Sequence, residues 1–280
     1  MSSSTMRFGA APRQQPVWDW RAAGNFMAGG AGSGLIVLTG WPGAGGWPLG
    51  LGLALVGLGL FCVWLEIGRP WRALNVFLNP RRSWMSRESI VALLLMPAGA
   101  AALLGVPGAG WLCAPLALAF LVCQAGILHA AKGIPTWREP RLVPLIITTG
   151  LAEGGGLLLL AALVHGLTVP RLSAVIMVLA LLARLALWRA WRLRLRTADR
   201  ALQEIDRGAV FFITCTLASL IALVTLLAAA PPDPAAALLQ AAAGLLAVAG
   251  GQWFKFTLIT RAAFTPGFTL PHRPVRGAVR

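Results

Sequence analysis

Glu66 and Glu88 bracket a polar stretch that joins two long apolar segments and holds five arginines and two tryptophans. It reads Glu66-Ile67-Gly68-Arg69-Pro70-Trp71-Arg72, then, after six more residues, Asn79-Pro80-Arg81-Arg82-Ser83-Trp84-Met85-Ser86-Arg87-Glu88. A carboxylate at such a boundary can accept or release a proton where an apolar ligand arrives from lipid. A plainer reading stays open beside it, with Ser86 capping a helix, Glu88 in the first turn, and Glu66 paired with Arg69. Three more ionisable residues, Glu153, Arg184 and Lys255, interrupt apolar runs. Glu153, followed by Gly154-Gly155-Gly156, falls about 16 Å along its segment at ~1.5 Å per residue. An ionisable side chain at that depth marks an ion-pair or proton site with a partner. The plainer alternatives are a structural Glu153–Arg184 ion pair, or Arg184 and Lys255 snorkelling to the nearer surface, which is favoured for the two basic residues.

Other chemistries find little support. The four cysteines, Cys62, Cys113, Cys123 and Cys215, stand singly within apolar runs, so neither a zinc site nor an iron–sulfur ligand set is expected. His129, His165 and His272 fall at different depths, and bis-histidine haem needs two imidazoles at one depth on facing helices. No metal bound by this chain and no haem are expected. The net charge of +15 does not argue for nucleic acid, because the basic residues sit between apolar spans.

The elements that must position these groups are membrane helices. The 280-residue chain is 58% hydrophobic and 12% charged, with a mean hydropathy of +0.74. That charge content is about half the soluble norm, too little polar surface for a soluble domain. A bilayer core takes roughly 20 apolar residues per helix. The sequence predicts eight spans, at about 25–40, 47–65, 88–104, 111–131, 142–165, 170–188, 208–229 and 235–260. The first is short and rich in glycine (Gly29, Gly30, Gly32, Gly34), which suits close helix packing. In the second, Gly50, Gly52, Gly57 and Gly59 supply a small-residue face. Residues 189–207 read as a basic, helix-compatible connector. Trp71, Leu74 and Phe77/Leu78 share one face of a short helix suited to the interface plane, and Trp84 suits the headgroup level.

The basic residues test this topology. Three precede the first span, five lie in the 66–88 loop, and three, six and four lie in the next segments on that side. The opposite loops carry one, Arg171. This bias predicts that both termini are cytoplasmic. The fold class is thus an all-α integral membrane protein with eight transmembrane helices, arranged as two four-helix bundles. Residues 1–23 form a cytoplasmic segment without an apolar signal region, 24–260 the membrane domain, and 261–280 a basic cytoplasmic tail.

Glu66-x-Gly68-Arg69-Pro70 and Ser83-Trp84-Met85-Ser86-Arg87-Glu88 resemble the membrane-anchor subunits of the dimethyl sulfoxide reductase and polysulfide reductase type. The tail is similar too, in Lys255, Gly267-Phe268, Pro271 and Pro274-x-Arg276-Gly277. The resemblance implies a haem-free anchor that binds quinone, ubiquinone or menaquinone, near one face of a bacterial inner membrane. It implies electron exchange with a docked iron–sulfur subunit and, through it, a molybdopterin catalytic subunit, so that this chain carries no catalytic residue itself. On the resemblance, Glu66 and Glu88 take the proton-exchange positions, with Arg69, Ser86 and Arg87 beside them. Arg72, Arg81, Arg82 and Trp84 then fall on the partner-docking surface. A loop on the cytoplasmic side makes the chain most like the anchors of sulfite dehydrogenase, ahead of those of phenylacetyl-CoA oxidoreductase. Two other classes stay open: a small-solute transporter using Glu153 with its triple glycine as a broken-helix site, and a structural assembly factor.

Overall fold

The computed structural model of the chain describes residues 8–39, 46–67, 69–195, 199–229 and 233–270. It opens with two short strands, β1 (Phe8–Ala10) and β2 (Arg13–Gln14). Helix α1 (Trp20–Gly24) follows, then a π-helical turn (Asn25–Gly29) and helix α2 (Gly30–Thr39). Gly24 and Gly30 both keep right-handed helical torsions, so these three pieces form one rod. Asp19 starts it by accepting from the Arg21 backbone N–H at 2.8 Å. The Arg21 guanidinium, hydrogen-bonded to the Asp19 carboxylate, also holds that carboxyl below its usual range.

After the rod come α3 (Gly46–Glu66), α4 (Trp84–Leu103), α5 (Gly110–Ala130), α6 (Leu142–His165), α7 (Arg171–Arg192), α8 (Asp199–Ala229) and α9 (Asp233–Phe256). These seven are long and apolar enough to cross a bilayer, and the chain is a multi-pass α-helical membrane protein. α6 coincides with the predicted 142–165 and ends where Gly166 adopts the left-handed conformation (φ 63°) that closes a helix. The basic connector is largely helical: α7 runs on to Arg192, and the 31-residue α8 begins at Asp199. At about 46 Å, α8 outruns a hydrocarbon core of roughly 30 Å. Asp206, in its early turns, pairs with Arg192 at 2.6 Å.

Sequence reasoning places the cap of α4 wrongly. Ser83, not Ser86, is the N-cap, and its side chain accepts from the Ser86 backbone N–H at 3.3 Å. Glu88 therefore sits in the second turn and is buried. Ser83→Ala should lower stability by about 1 kcal/mol, readable as a lower thermal midpoint in detergent.

The rod, α3, α4 and α5 touch in a ring, and so do α6, α7, α8 and α9. The rod packs on α6 and joins the two groups. Without a hydrophobic drive between helices in lipid, such contacts need small residues that let backbones approach. The rod has them on two sides. A Cβ on Gly59 of α3 would lie 2.8 Å from the Gly29 nitrogen, and one on Gly52 would lie 2.5 Å from the Ile36 side chain. On the other side, a Cβ on Gly154 of α6 would overlap the Gly34 carbonyl carbon. Gly50 and Gly57, expected on the same face as Gly52 and Gly59, meet only Leu103 and Met96 side chains at ordinary distances.

Where the chain returns from α9, another π-helical turn (Thr257–Arg261) leads to β3 (Phe264–Thr265) and β4 (Phe268–Leu270). β4 pairs antiparallel with β1, and β3 with β2. Gln14 Nε2 donates to the Thr260 carbonyl at 2.6 Å, and the Gln15 N–H to the Ala263 carbonyl at 2.8 Å. This β-clasp joins two segments that the sequence leaves without structure. Pro271, Pro274, Arg276 and Gly277, and His272, lie outside the described residues, as does Gly68.

Candidate functional site

The cleft between the end of α3 and the start of α4 is built from the 66–88 stretch. Pro70–Leu78 forms a 3-10 helix whose three-residue period puts Leu74 and Phe77 on one ridge. Leu74 and Phe77 face a cleft of about 410 Å³, walled by Leu60 and Trp64 of α3 and Met85 and Leu93 of α4. Trp71, 87% exposed, and Leu78, 78% exposed, point outward, as an interface helix requires. Pro97 in α4 carries no N–H, which removes the donor that the Leu93 carbonyl would receive within the helix.

Among the described residues that line the cleft, Glu88 is the one ionisable side chain. It is 3% exposed, and its Oε1 accepts from Asn25 Nδ2 at 3.1 Å. Asn25 begins the π-helical turn, which widens the helix there and carries its side chain to α4. The Asn25 carbonyl accepts in turn from Gln124 Nε2 of α5 at 2.9 Å. Asn25 and Gln124 are residues that the charged-residue reasoning missed. Their signal was an uncharged amide inside an apolar span, where it must find a partner across helices.

The other predicted residues scatter around this cleft. Glu66 ends α3 half-buried, within electrostatic reach of Asp19 and Arg21, and does not line the cleft. No Glu66–Arg69 ion pair forms among the described residues; Arg69 is exposed at the start of the 3-10 helix. Arg72, Arg81 and Arg82 are exposed as well. Ser86 is buried. Arg87 folds back on its own loop, donating to the carbonyls of Pro80 at 2.9 Å and Arg81 at 3.0 Å, with its guanidinium 4.4 Å from the Trp84 ring centroid. Trp84 is half-buried against Gly126 of α5, wedged between helices rather than standing free as an anchor.

The membrane interior corrects the expectations for Glu153, Arg184 and Lys255. All three are fully buried, so neither base snorkels. Glu153 pairs with Lys255 at 2.5 Å, not with Arg184. Lys255 Nζ also donates to the Phe26 carbonyl at 2.8 Å, inside the π-helical turn. A Cβ at Gly251 would overlap Glu153 Oε1, so that glycine makes room for the carboxylate. Arg184 bridges α8 and α9 by donating to Thr216 Oγ1 at 2.6 Å and the Ala247 carbonyl at 3.1 Å, beside the Phe212 ring. Burying these charges is costly, and each bond offsets part of that cost.

Among the described residues no group of three or more His, Cys, Asp or Glu side chains is placed to hold a metal ion. The four cysteines are free and buried. Fold and site together define a multi-pass helical membrane protein with an apolar cleft that holds one buried carboxylate. No protein-family model matches the chain, and no curated protein matches it.

Proposed function

We propose that the chain is a haem-free, quinone-binding membrane anchor. It would pass electrons between an iron–sulfur subunit docked on the cytoplasmic side and the quinone pool of a bacterial inner membrane, in a complex whose molybdopterin subunit oxidises sulfite. The reading rests on one observation above all, the cleft of about 410 Å³ with its largely apolar walls and Glu88. A quinone is an apolar molecule with a polar ring that takes up and releases protons on reduction and oxidation. A greasy cleft at the start of a span, with one carboxylate in its wall, suits such a ligand.

In this reading the Trp20–Thr39 rod is the first of eight spans, since its 20 residues cover roughly 30 Å. The two rings of contacts become two four-helix bundles. The connections after α3, α5 and α7 share one end of the bundle with the β-clasp, and their arginines put that end in the cytoplasm. Exposed Arg69, Arg72, Arg81 and Arg82 offer the partner a basic surface. Glu153 fits a transporter site poorly, because Lys255 and α9 close over its carboxylate.

The test is titration of a short-chain quinone analogue into the purified protein, with Glu88→Gln alongside. Glu88→Gln should remain folded and bind the analogue at least tenfold more weakly, a loss of about 1.4 kcal/mol. Equal binding by both proteins would overturn the reading. Co-purification from native membranes should bring down a ferredoxin-like iron–sulfur subunit and a large molybdopterin protein. Recovery of the intact chain without them would count against the anchor role.

A further inference from the structure

Four charged side chains are buried among the described residues, Glu88, Glu153, Arg184 and Lys255. Two of them meet at the π-helical turn. On its α4 side, Asn25 Nδ2 holds Glu88 Oε1 at 3.1 Å. One residue on, the Phe26 carbonyl accepts from Lys255 Nζ at 2.8 Å, and the same ammonium holds Glu153 Oε2 at 2.5 Å. Gln124 braces the Asn25 carbonyl from α5 at 2.9 Å. Asn25 and Phe26 are adjacent residues of a turn whose backbone hydrogen bonding departs from the α pattern, so the two gripped carbonyls and the Asn25 side chain share one short piece of backbone. Asn25, Gln124, Glu153 and Lys255 are all buried.

We propose that Lys255, held in place by Glu153, is a positioning residue for Glu88. It acts through the π-helical turn: by gripping the Phe26 carbonyl, the interior ion pair keeps the Asn25 amide aimed at the cleft carboxylate. On the reading given above, the pair thereby sets the hydrogen bonding of the group that faces quinone, although neither Lys255 nor Glu153 lines the cleft. The consequence is a directional dependence. Disturbing Lys255 loosens the Asn25–Glu88 bond, and the effect disappears once Asn25 itself is removed.

Two variants disturb Lys255 in different ways. Lys255→Met combined with Glu153→Gln removes both charges together and leaves neither partner as a lone buried ion. Gly30→Ala changes no charge: its new Cβ would lie 2.6 Å from Lys255 Nζ, the far end of that side chain, which must shift. It would also lie 3.2 Å from Gln124 Oε1, so the double variant is the one that acts on Lys255 without pressing on Gln124.

The experiment is infrared difference spectroscopy of the full chain in nanodiscs at acid pH, with the protonated Glu88 C=O stretch assigned by its loss in Glu88→Gln. Both variants should move that band to higher wavenumber, as Asn25→Ala should directly, because the carboxyl group loses the Asn25 donor. Gly30→Ala added to Asn25→Ala should move it no further, the non-additivity expected of groups acting in series. An unmoved band in both variants, with a clear shift in Asn25→Ala, would overturn the proposal, and so would additive shifts. Binding of the quinone analogue, measured in parallel, should weaken about tenfold in the variants. Failure of the parent protein to bind the analogue would sink the quinone reading alone, because the infrared band needs no quinone and still decides the coupling.

Discussion

Lys255→Met should destabilise the protein by about 3–5 kcal/mol, the cost of leaving a buried carboxylate without its partner. Glu153 is fully buried, and Lys255 is the cation that touches it, at 2.5 Å. Arg184 does not touch that carboxylate; two of its nitrogens bond Thr216 and the Ala247 carbonyl on other helices. The double variant Lys255→Met/Glu153→Gln should recover most of the loss, since it removes the orphan charge as well as its partner. Thermal unfolding of the three proteins in one detergent checks this. A single variant as stable as the parent would show that the pair contributes nothing to the folded state.

Gly154→Ala is the second large effect. Its Cβ would overlap the backbone of Gly34 and Leu35 across the rod–α6 contact, and backbone atoms cannot rotate aside as a side chain can. The helices must separate along their tightest seam, so the cost lies at or above the upper end of the ~1–3 kcal/mol usual for overpacking. Gly57→Ala is the contrast. There the Cβ would meet only Met96 Cε at 3.8 Å, and the better helix former should leave stability unchanged or raise it by up to about 1 kcal/mol. Comparing unfolding midpoints of the two variants separates seam packing from glycine content, and equal midpoints would refute the seam.

These two cases also mark what the sequence could tell. Apolar length is a local property, so α6 is legible residue for residue, and the positions of α3 and α5 nearly so. The short helix after Arg69 is likewise written in nearest-neighbour spacing, although of the residues expected on one face Leu74 and Phe77 turn to the cleft while Trp71 and Leu78 point outward. Glu88 was visible as a boundary carboxylate. Its burial was not, because that depends on Ser83 starting the helix one turn earlier than Ser86 would. The partner of Glu153 lies 102 residues away, and nothing in one chain's spacing chooses Lys255 over Arg184. The π-helical turn hides for a related reason: Asn25 to Gly29 carry no distinctive propensity, and their geometry answers to Glu88, Gln124 and Lys255 on other helices. Strands of two or three residues leave no periodicity to read.

The β-clasp sets an order of events during synthesis. Residues 8–14 leave the ribosome early, and the strands they pair with, at 264–270, come some 250 residues later. At the usual ~5–20 residues per second, the early strands stay without their partners for on the order of 10–50 s. In that interval every span enters the bilayer. The clasp can therefore close only after α9 has been made, and its closure reports that α9 has been delivered. A chain truncated before Phe264 can insert its helices but can never fasten the two segments together.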